Sequence, residues 1–278
     1  MTIAVAALFP WGRLKDARLP LEQAVILASD SRFTLSGGRV DDNGRKIYPL
    51  GRDAVAVYAG DVLAAQRGLS DIQELLRRRP KRMRTDAARS AGLLLRDAYR
   101  RERASAQRHE RMKVGPLHVL VGVCHPDGQA EIVRFSSPKF APLYVLGVDA
   151  VGGAEDVANF RWWLEEMQRQ RWDESQDGMK LDPKPEDWRR DVVLGVRGSL
   201  ESSDRSQTIG GPIQSVIVTR SGWSEPGISW VREGEDPTIV ESWEDLTVSV
   251  QNVLPYRLAR KGPRPVAEAD LVYSHISD

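Results

Sequence analysis

The residue that bears most directly on chemistry stands second in the chain. In MTIAVAALFP, Thr2 follows Met1, and cells commonly trim an initiator Met that stands before a small residue such as Thr. That would leave a threonine carrying a free α-amine, a nucleophile and its own base in one residue. A threonine hydroxyl attacks a carbonyl poorly unless something takes its proton. An N-terminal amine, with a pKa of about 7.7 to 8.0, is partly neutral near pH 7 and can take it. A nearby cation lowers that pKa further. The same letters, Thr2 to Phe9, read as a first strand of β-branched and small apolar residues, with no cationic stretch before it as a signal peptide has.

The elements that must hold such a residue follow from the pattern of the chain. TIAVAALF, AVILASDS, RKIYPL and DAVAVYAG read as strands separated by segments rich in Gly, Asp, Asn and Pro, which is antiparallel hairpin material. From Asp61 to Arg79 the apolar residues take helical spacing, with Pro80 as the stop. A second amphipathic helix runs from Asp86 to about Arg108, with Thr85 as its N-cap. Strands return in LHVLVGVCH, QAEIVRFS and APLYVLGVD, the first two joined by a PDG turn. Helical spacing resumes in AEDVANFRWWLEEMQRQ and WRRDVVLGVRGSLES, on either side of the loop-like DESQDGMKLDPKPED. PIQSVIVTRSG and ISWVRE then form a last hairpin. The order sheet, two helices, sheet, two helices, sheet predicts an α+β fold. Its expected form is a four-layer α/β/β/α sandwich, two mainly antiparallel sheets with helices on the outside. The domain is expected over residues 1–235, with 236–278 as a C-terminal extension of uncertain structure.

Composition narrows the function classes. The 278 residues are 41% hydrophobic, ample for a packed core, and 40 basic against 39 acidic side chains leave a net charge of +1. There is no overall bias toward nucleic acid or anionic lipid. No stretch approaches the roughly 18 consecutive apolar residues that span a bilayer, so the expectation is a cytoplasmic protein without a membrane partner. Cys124, the single cysteine, excludes an intrachain disulfide and reads as a core residue within HVLVGVCH. The four histidines, His109, His118, His125 and His275, form no ligand-like cluster, and neither a GxGxxG nor a Walker pattern is present, so no metal and no cofactor are expected. Residues 77–113 hold fourteen Lys or Arg against four Asp or Glu. The basic residues alternate with apolar ones and no aromatic series accompanies them. They read as solvated or subunit-facing helix surfaces rather than a nucleic-acid surface. Trp162 and Trp163 read as packing residues.

Three further residues stand at notable positions. Asp30 ends the second strand in ILASDSRFT, followed by Arg32 and Thr34. Lys46 opens the next, in GRKIYPL, sixteen residues later. Gly60 closes VYAG fourteen residues after that, directly before a helix. Taken singly, they also read as a strand-end turn residue, a surface lysine and a turn glycine. As a set with Thr2 they resemble the proteasome β-subunit family, including its bacterial homologues. There, the first strand begins at a mature N-terminal Thr, an Asp followed by Arg and Thr ends the second, a Lys-hydrophobic-Tyr opens a later one, and Ala-Gly precedes a helix. The resemblance implies an N-terminal nucleophile hydrolase fold in which Thr2 attacks and its amine shuttles the proton. Lys46 supplies the field at that amine, Asp30 keeps Lys46 charged and oriented, and the Gly60 N–H faces the developing oxyanion.

The likeness is strong to about residue 70 and architectural over the rest of residues 2–232. In SSDRSQTIGGPIQSVIV, Thr208 falls near the family's supporting Ser/Thr and Ser206 at its Asp, while Asp204 fits only with a two-residue shift. The Gly-Ser element before the third helix corresponds to Gly147 followed by Val148. The longer first hairpin, PWGRLKDARLPLEQ, and the extension after about residue 235 also depart from the family. The expected activity is that of a threonine peptidase switched on by loss of Met1 alone. It would act on peptides or unfolded protein, assembled as a homo-oligomeric ring or open ring, with an ATPase partner left open. The rival readings are a non-catalytic subunit of the same fold and an amidohydrolase acting on a small amide.

Overall fold

The computed structural model describes residues 3–9, 23–34, 40–41, 46–78, 85–108, 114–176, 184–202, 212–224, 227–230 and 238–240. These residues form a mixed α+β fold with two antiparallel sheets and four helices. The first sheet has the order β10 (Val148–Val151), β1 (Ala4–Phe9), β2 (Ala24–Asp30), β11 (Ile213–Thr219), β13 (Gly227–Trp230) and β14 (Thr238–Val240), with β12 (Gly222–Trp223) also on β11. The second has the order β5 (Ile47–Pro49), β6 (Ala54–Gly60), β7 (Leu117–Cys124), β8 (Ala130–Ser136) and β9 (Leu143–Val145). Phe33–Thr34 (β3) and Val40–Asp41 (β4) make a separate short pair. The helices are α1 (Val62–Arg78), α2 (Thr85–Arg108), α3 (Ala154–Gln176) and α4 (Pro185–Ser202).

Strand side chains alternate between faces, and here both faces are apolar. Val5 and Ala7 of β1 pack with Phe160 and Leu164 of α3 and Val192 and Val196 of α4, whereas Ala4 and Ala6 join Val55, Val57 and Leu120 of the second sheet. Ala56 and Tyr58 of β6 turn the other way, onto Ala64, Leu69 and Ile72 of α1 and Leu95 of α2. Three apolar clusters therefore separate four successive layers: α1 and α2, the second sheet, the first sheet, and α3 and α4. This explains why β1 and β2 read as nearly unbroken apolar runs. Both are central strands covered on each side, and Cys124 lies in the cluster between the sheets, wholly buried.

Two details depart from the sequence reading. APLYVLGVD is two strands in different sheets: Leu143–Val145 pairs with β8, and Val148–Val151 pairs with β1. The chain crosses between the sheets at Gly147, whose φ of 87° suits glycine best. The first sheet also continues past residue 235, because Thr238–Val240 pairs with β13.

Candidate active site

Among the described residues, the second strand and the start of β5 meet at a buried ion pair. Lys46 Nζ lies 3.0 Å from Asp30 Oδ1, with both side chains fully excluded from solvent. The ammonium also donates to the Arg32 carbonyl at 2.6 Å. Asp30 ends β2 just where the hydrogen-bonded ladder with β1 has run from Phe9 back to Ala4. Its Oδ1 accepts a second hydrogen bond, from the Ile3 N–H at 3.1 Å. The Ile3 carbonyl in turn accepts from Ser29 Oγ at 2.8 Å. Both backbone groups of Ile3 are thus tied to the end of β2. Ile3 is bonded to Thr2, so covalent geometry keeps the α-amine of residue 2 within about 4 Å of the Ile3 nitrogen.

Lys46 is braced by a residue that sequence reasoning missed. Gln214 of β11, wholly buried, accepts from the Lys46 backbone N–H at 3.2 Å and donates to Ser31 Oγ at 2.6 Å. Ser31 Oγ donates onward to the Pro212 carbonyl at 2.6 Å. The available signal was the long amide side chain of Gln214 within the mainly apolar strand IQSVIVT.

Gly60 closes β6 opposite Leu117. The neighbouring Asp61 N–H bonds to the Pro116 carbonyl at 3.1 Å, and Cys124 N–H to the Asp53 carbonyl, so odd-numbered residues of β6 carry the hydrogen bonds to β7. By the alternation of an antiparallel ladder, the Gly60 N–H then points to the opposite side, the β5 side on which Lys46 stands. Asp61 caps the start of α1, its Oδ1 accepting from the Ala64 N–H at 2.9 Å. Burial is the main influence raising the pKa of Asp61, opposed by the N–H groups of Ala64 and Leu63. Tyr58, fully buried between these groups, is held well above its ordinary pKa by desolvation first, then by Tyr48, Asp61 and Asp30.

Glycine is required at position 60. Its φ is 113°, and a Cβ there would lie 1.8 Å from the Pro116 carbonyl oxygen. Gly60→Ala is therefore expected to cost about 1–3 kcal/mol from backbone conformation alone, with the clash adding to it. A urea midpoint unchanged from that of the parent protein would contradict this geometry.

Next to this site, His118 of β7 stands opposite Ala59, its Nδ1 2.9 Å from Ser136 Oγ. Arg134 donates to the same Oγ at 3.1 Å and reaches Asp149 at 3.4 Å. The pKa of His118 is lowered, first by burial and then by Arg134, against the opposing pull of Asp149. A histidine with a lowered folded-state pKa binds fewer protons folded than unfolded, so its stabilising effect is complete above the ordinary value of about 6.5 and is lost as pH falls from there toward the folded-state value. The urea midpoint of the parent protein should therefore fall more steeply on acidification below about pH 6.5 than that of His118→Gln. Parallel pH curves would overturn the assignment.

The element before α3 differs from the expected one. Val148 lies inside β10, paired with Ala7, and the glycines that adjoin the helix are Gly152 and Gly153. Val151 pairs with Ala4, and the first turn of α3 closes with the Val157 N–H on the Gly153 carbonyl at 3.0 Å. The helix thus starts beside the head of β1. Asp156 in its first turn is buried. Burial chiefly raises its pKa, aided by Glu155 and Asp30 and opposed by the positive charge of the chain's amino terminus.

The structure brings Asp30 and Lys46 together and sets Gly60 at the end of the adjoining strand. Thr2, Asp204, Ser206 and Thr208 lie outside the described residues. Among the described residues no group of three or more His, Cys, Asp or Glu could hold a metal ion, and no helix is long and apolar enough to cross a membrane. Compared with models of known protein families the chain matches none, and no curated protein matches it.

Proposed function

We propose that the chain is an N-terminal nucleophile hydrolase of the proteasome-like type, with the α/β/β/α sandwich of that class, acting on peptide bonds through Thr2. The observation that supports it is the solvent-excluded Asp30–Lys46 pair fastened to the Ile3 N–H, one residue from the candidate nucleophile. A buried ion pair is a weak source of stability, so its place beside the second residue of the chain favours a catalytic purpose. In this reading Met1 is removed and the Thr2 α-amine takes the proton from Oγ as Oγ attacks the carbonyl carbon. The Gly60 N–H faces the oxyanion. The amine returns its proton to the departing peptide nitrogen, leaving an acyl ester on Oγ. Water then hydrolyses the ester, releasing the acid and regenerating Thr2.

Cytoplasmic location and assembly into a ring or open ring, with α1 to α4 supplying subunit contacts, belong to the same proposal. The test is a fluorogenic peptide screen on protein whose intact mass shows Met1 removed, with small amides included and native mass measured alongside. Turnover of peptides by an assembled protein is expected. Turnover of small amides alone by a monomer would replace this reading with an amidohydrolase, and retained Met1 with no turnover would replace it with a non-catalytic subunit.

A further inference from the structure

We propose that copies of this chain associate head to tail, the basic outer face of α2 on one copy receiving the acidic, tryptophan-bearing outer face of α3 on the next. This rests on the assembly part of the proposed function, gives it a specific contact, and does not involve the reaction. The two helices lie in opposite outermost layers and are matched in length, at 24 and 23 residues, or about 35 Å each. Their charges mirror one another. α2 holds six Arg against three Asp or Glu, and α3 holds six Asp or Glu against three Arg.

On α2, the exposed residues Arg89, Leu93, Arg100 and Arg103, with Arg96 between them, recur at spacings of three and four and so form one stripe. Leu93 is 44% exposed. Arg67 and Arg101 of the same layer are held by Glu102 and Asp71, whereas among the described residues Arg89, Arg100 and Arg103 have no ion-pair partner. On α3, the exposed Glu155, Trp162 and Glu165 form a second stripe. Trp163 turns inward against α4, where a Cβ on Gly198 would lie 2.3 Å from its Nε1, but Trp162 is 58% exposed. A large aromatic ring open to water within a charged stripe is a feature of protein interfaces. Arg161 and Arg169 of α3 are already held, by Asp149 at 3.7 Å and Glu166 at 2.7 Å. The charge that this stripe presents to a partner is therefore that of Glu155 and Glu165.

Laid antiparallel, the stripes are in register. Arg100 lies seven residues after Leu93 and Arg89 four before it, while Glu155 lies seven before Trp162 and Glu165 three after it. Trp162 set on Leu93 thus brings Glu155 to Arg100 and Glu165 to Arg89, with offsets that agree to about 1.5 Å, and leaves Arg96 beside the ring face. A nucleic acid or an anionic lipid surface would engage the arginines but would give no purpose to Trp162 and its flanking acids. Each copy carries both stripes on different faces, so the contact repeats, closing into a ring or running on as an open helical array.

Sedimentation velocity on the full chain tests this, with thermal melting to confirm that the exposed substitutions leave the fold intact. Arg100→Glu should weaken self-association by about 10-fold or more, and Trp162→Ala by about 30-fold, the effect of losing an aromatic hot spot. Arg100→Glu combined with Glu155→Arg in one chain should restore association, because the reversed charges meet across the contact. The parent protein alone gives a second test: its association should weaken as salt rises, and salt-independent association would overturn a charged contact. An assembly indifferent to Arg100→Glu, or a loss that Glu155→Arg fails to restore, defeats this inference alone. Binding of a labelled single-stranded oligonucleotide that is lost in Arg100→Glu while the assembly is unchanged would assign the arginines to nucleic acid instead. A parent protein that stays monomeric at every concentration defeats both this contact and the assembly part of the proposed function.

Discussion

Thr2→Ala is expected to abolish peptide turnover, by about 10³-fold or more, while leaving the fold intact. Alanine is also a small residue, so Met1 should still be trimmed and the α-amine should still be present. The substitution therefore removes only the hydroxyl, and a nucleophile has no substitute in a covalent mechanism. Thr2→Ser keeps an oxygen at the same place and should retain measurable turnover. The checks are intact mass for the trimmed terminus, thermal melting for the fold, and initial rates on the peptide substrates identified by screening. Rates in Thr2→Ala equal to those of the parent protein would show that bond cleavage happens elsewhere or by another route.

Lys46→Met should have the second largest effect, and it acts on two quantities at once. Asp30 and Lys46 are both fully excluded from solvent and 3.0 Å apart, so removing the ammonium leaves a buried carboxylate without its cation. Breaking one side of a buried pair typically costs about 3–5 kcal/mol. Asp30→Asn should also destabilise, because Lys46 is then the uncompensated charge. The double variant Asp30→Asn with Lys46→Met should cost less than the sum of the two, since neither charge remains. Denaturant midpoints of the four proteins measure this coupling, and strict additivity would mean the pair does not act as one. The second quantity is the pH profile. Loss of a neighbouring positive charge favours the protonated amine, so its pKa rises and the acid limb of kcat/KM should move to higher pH by about 1 unit. A drop in activity with no such movement would assign Lys46 to stability alone.

Much of the scaffold around this site was legible in the chain. The hairpin runs, the change to helical spacing at Asp61, and the positions of Asp30, Lys46 and Gly60 are local features. Strand ends, helix caps and turn residues each depend on a few consecutive letters. APLYVLGVD was misread for the same reason: an apolar run of nine residues shows no mark of changing partner sheet, and only the pairing of Val148–Val151 with β1 reveals it. Likewise the hydrogen bonds of Gln214 to Lys46 and Ser31 join residues 168 and 183 positions apart, which no spacing rule connects.

By itself, the sequence determined the alternation of strands and helices, the apolar faces that make three clusters, and a short set of polar residues at strand ends beside a threonine at position 2. Tertiary structure alone decided which of those polar residues meet. It buried Asp30 and Lys46 against one another and turned the Gly60 N–H toward their side. The reason is physical. Periodicity reports which face of an element avoids water, a property of neighbouring residues. The meeting of charges is set by register between strands, and register depends on partners that are distant along the chain.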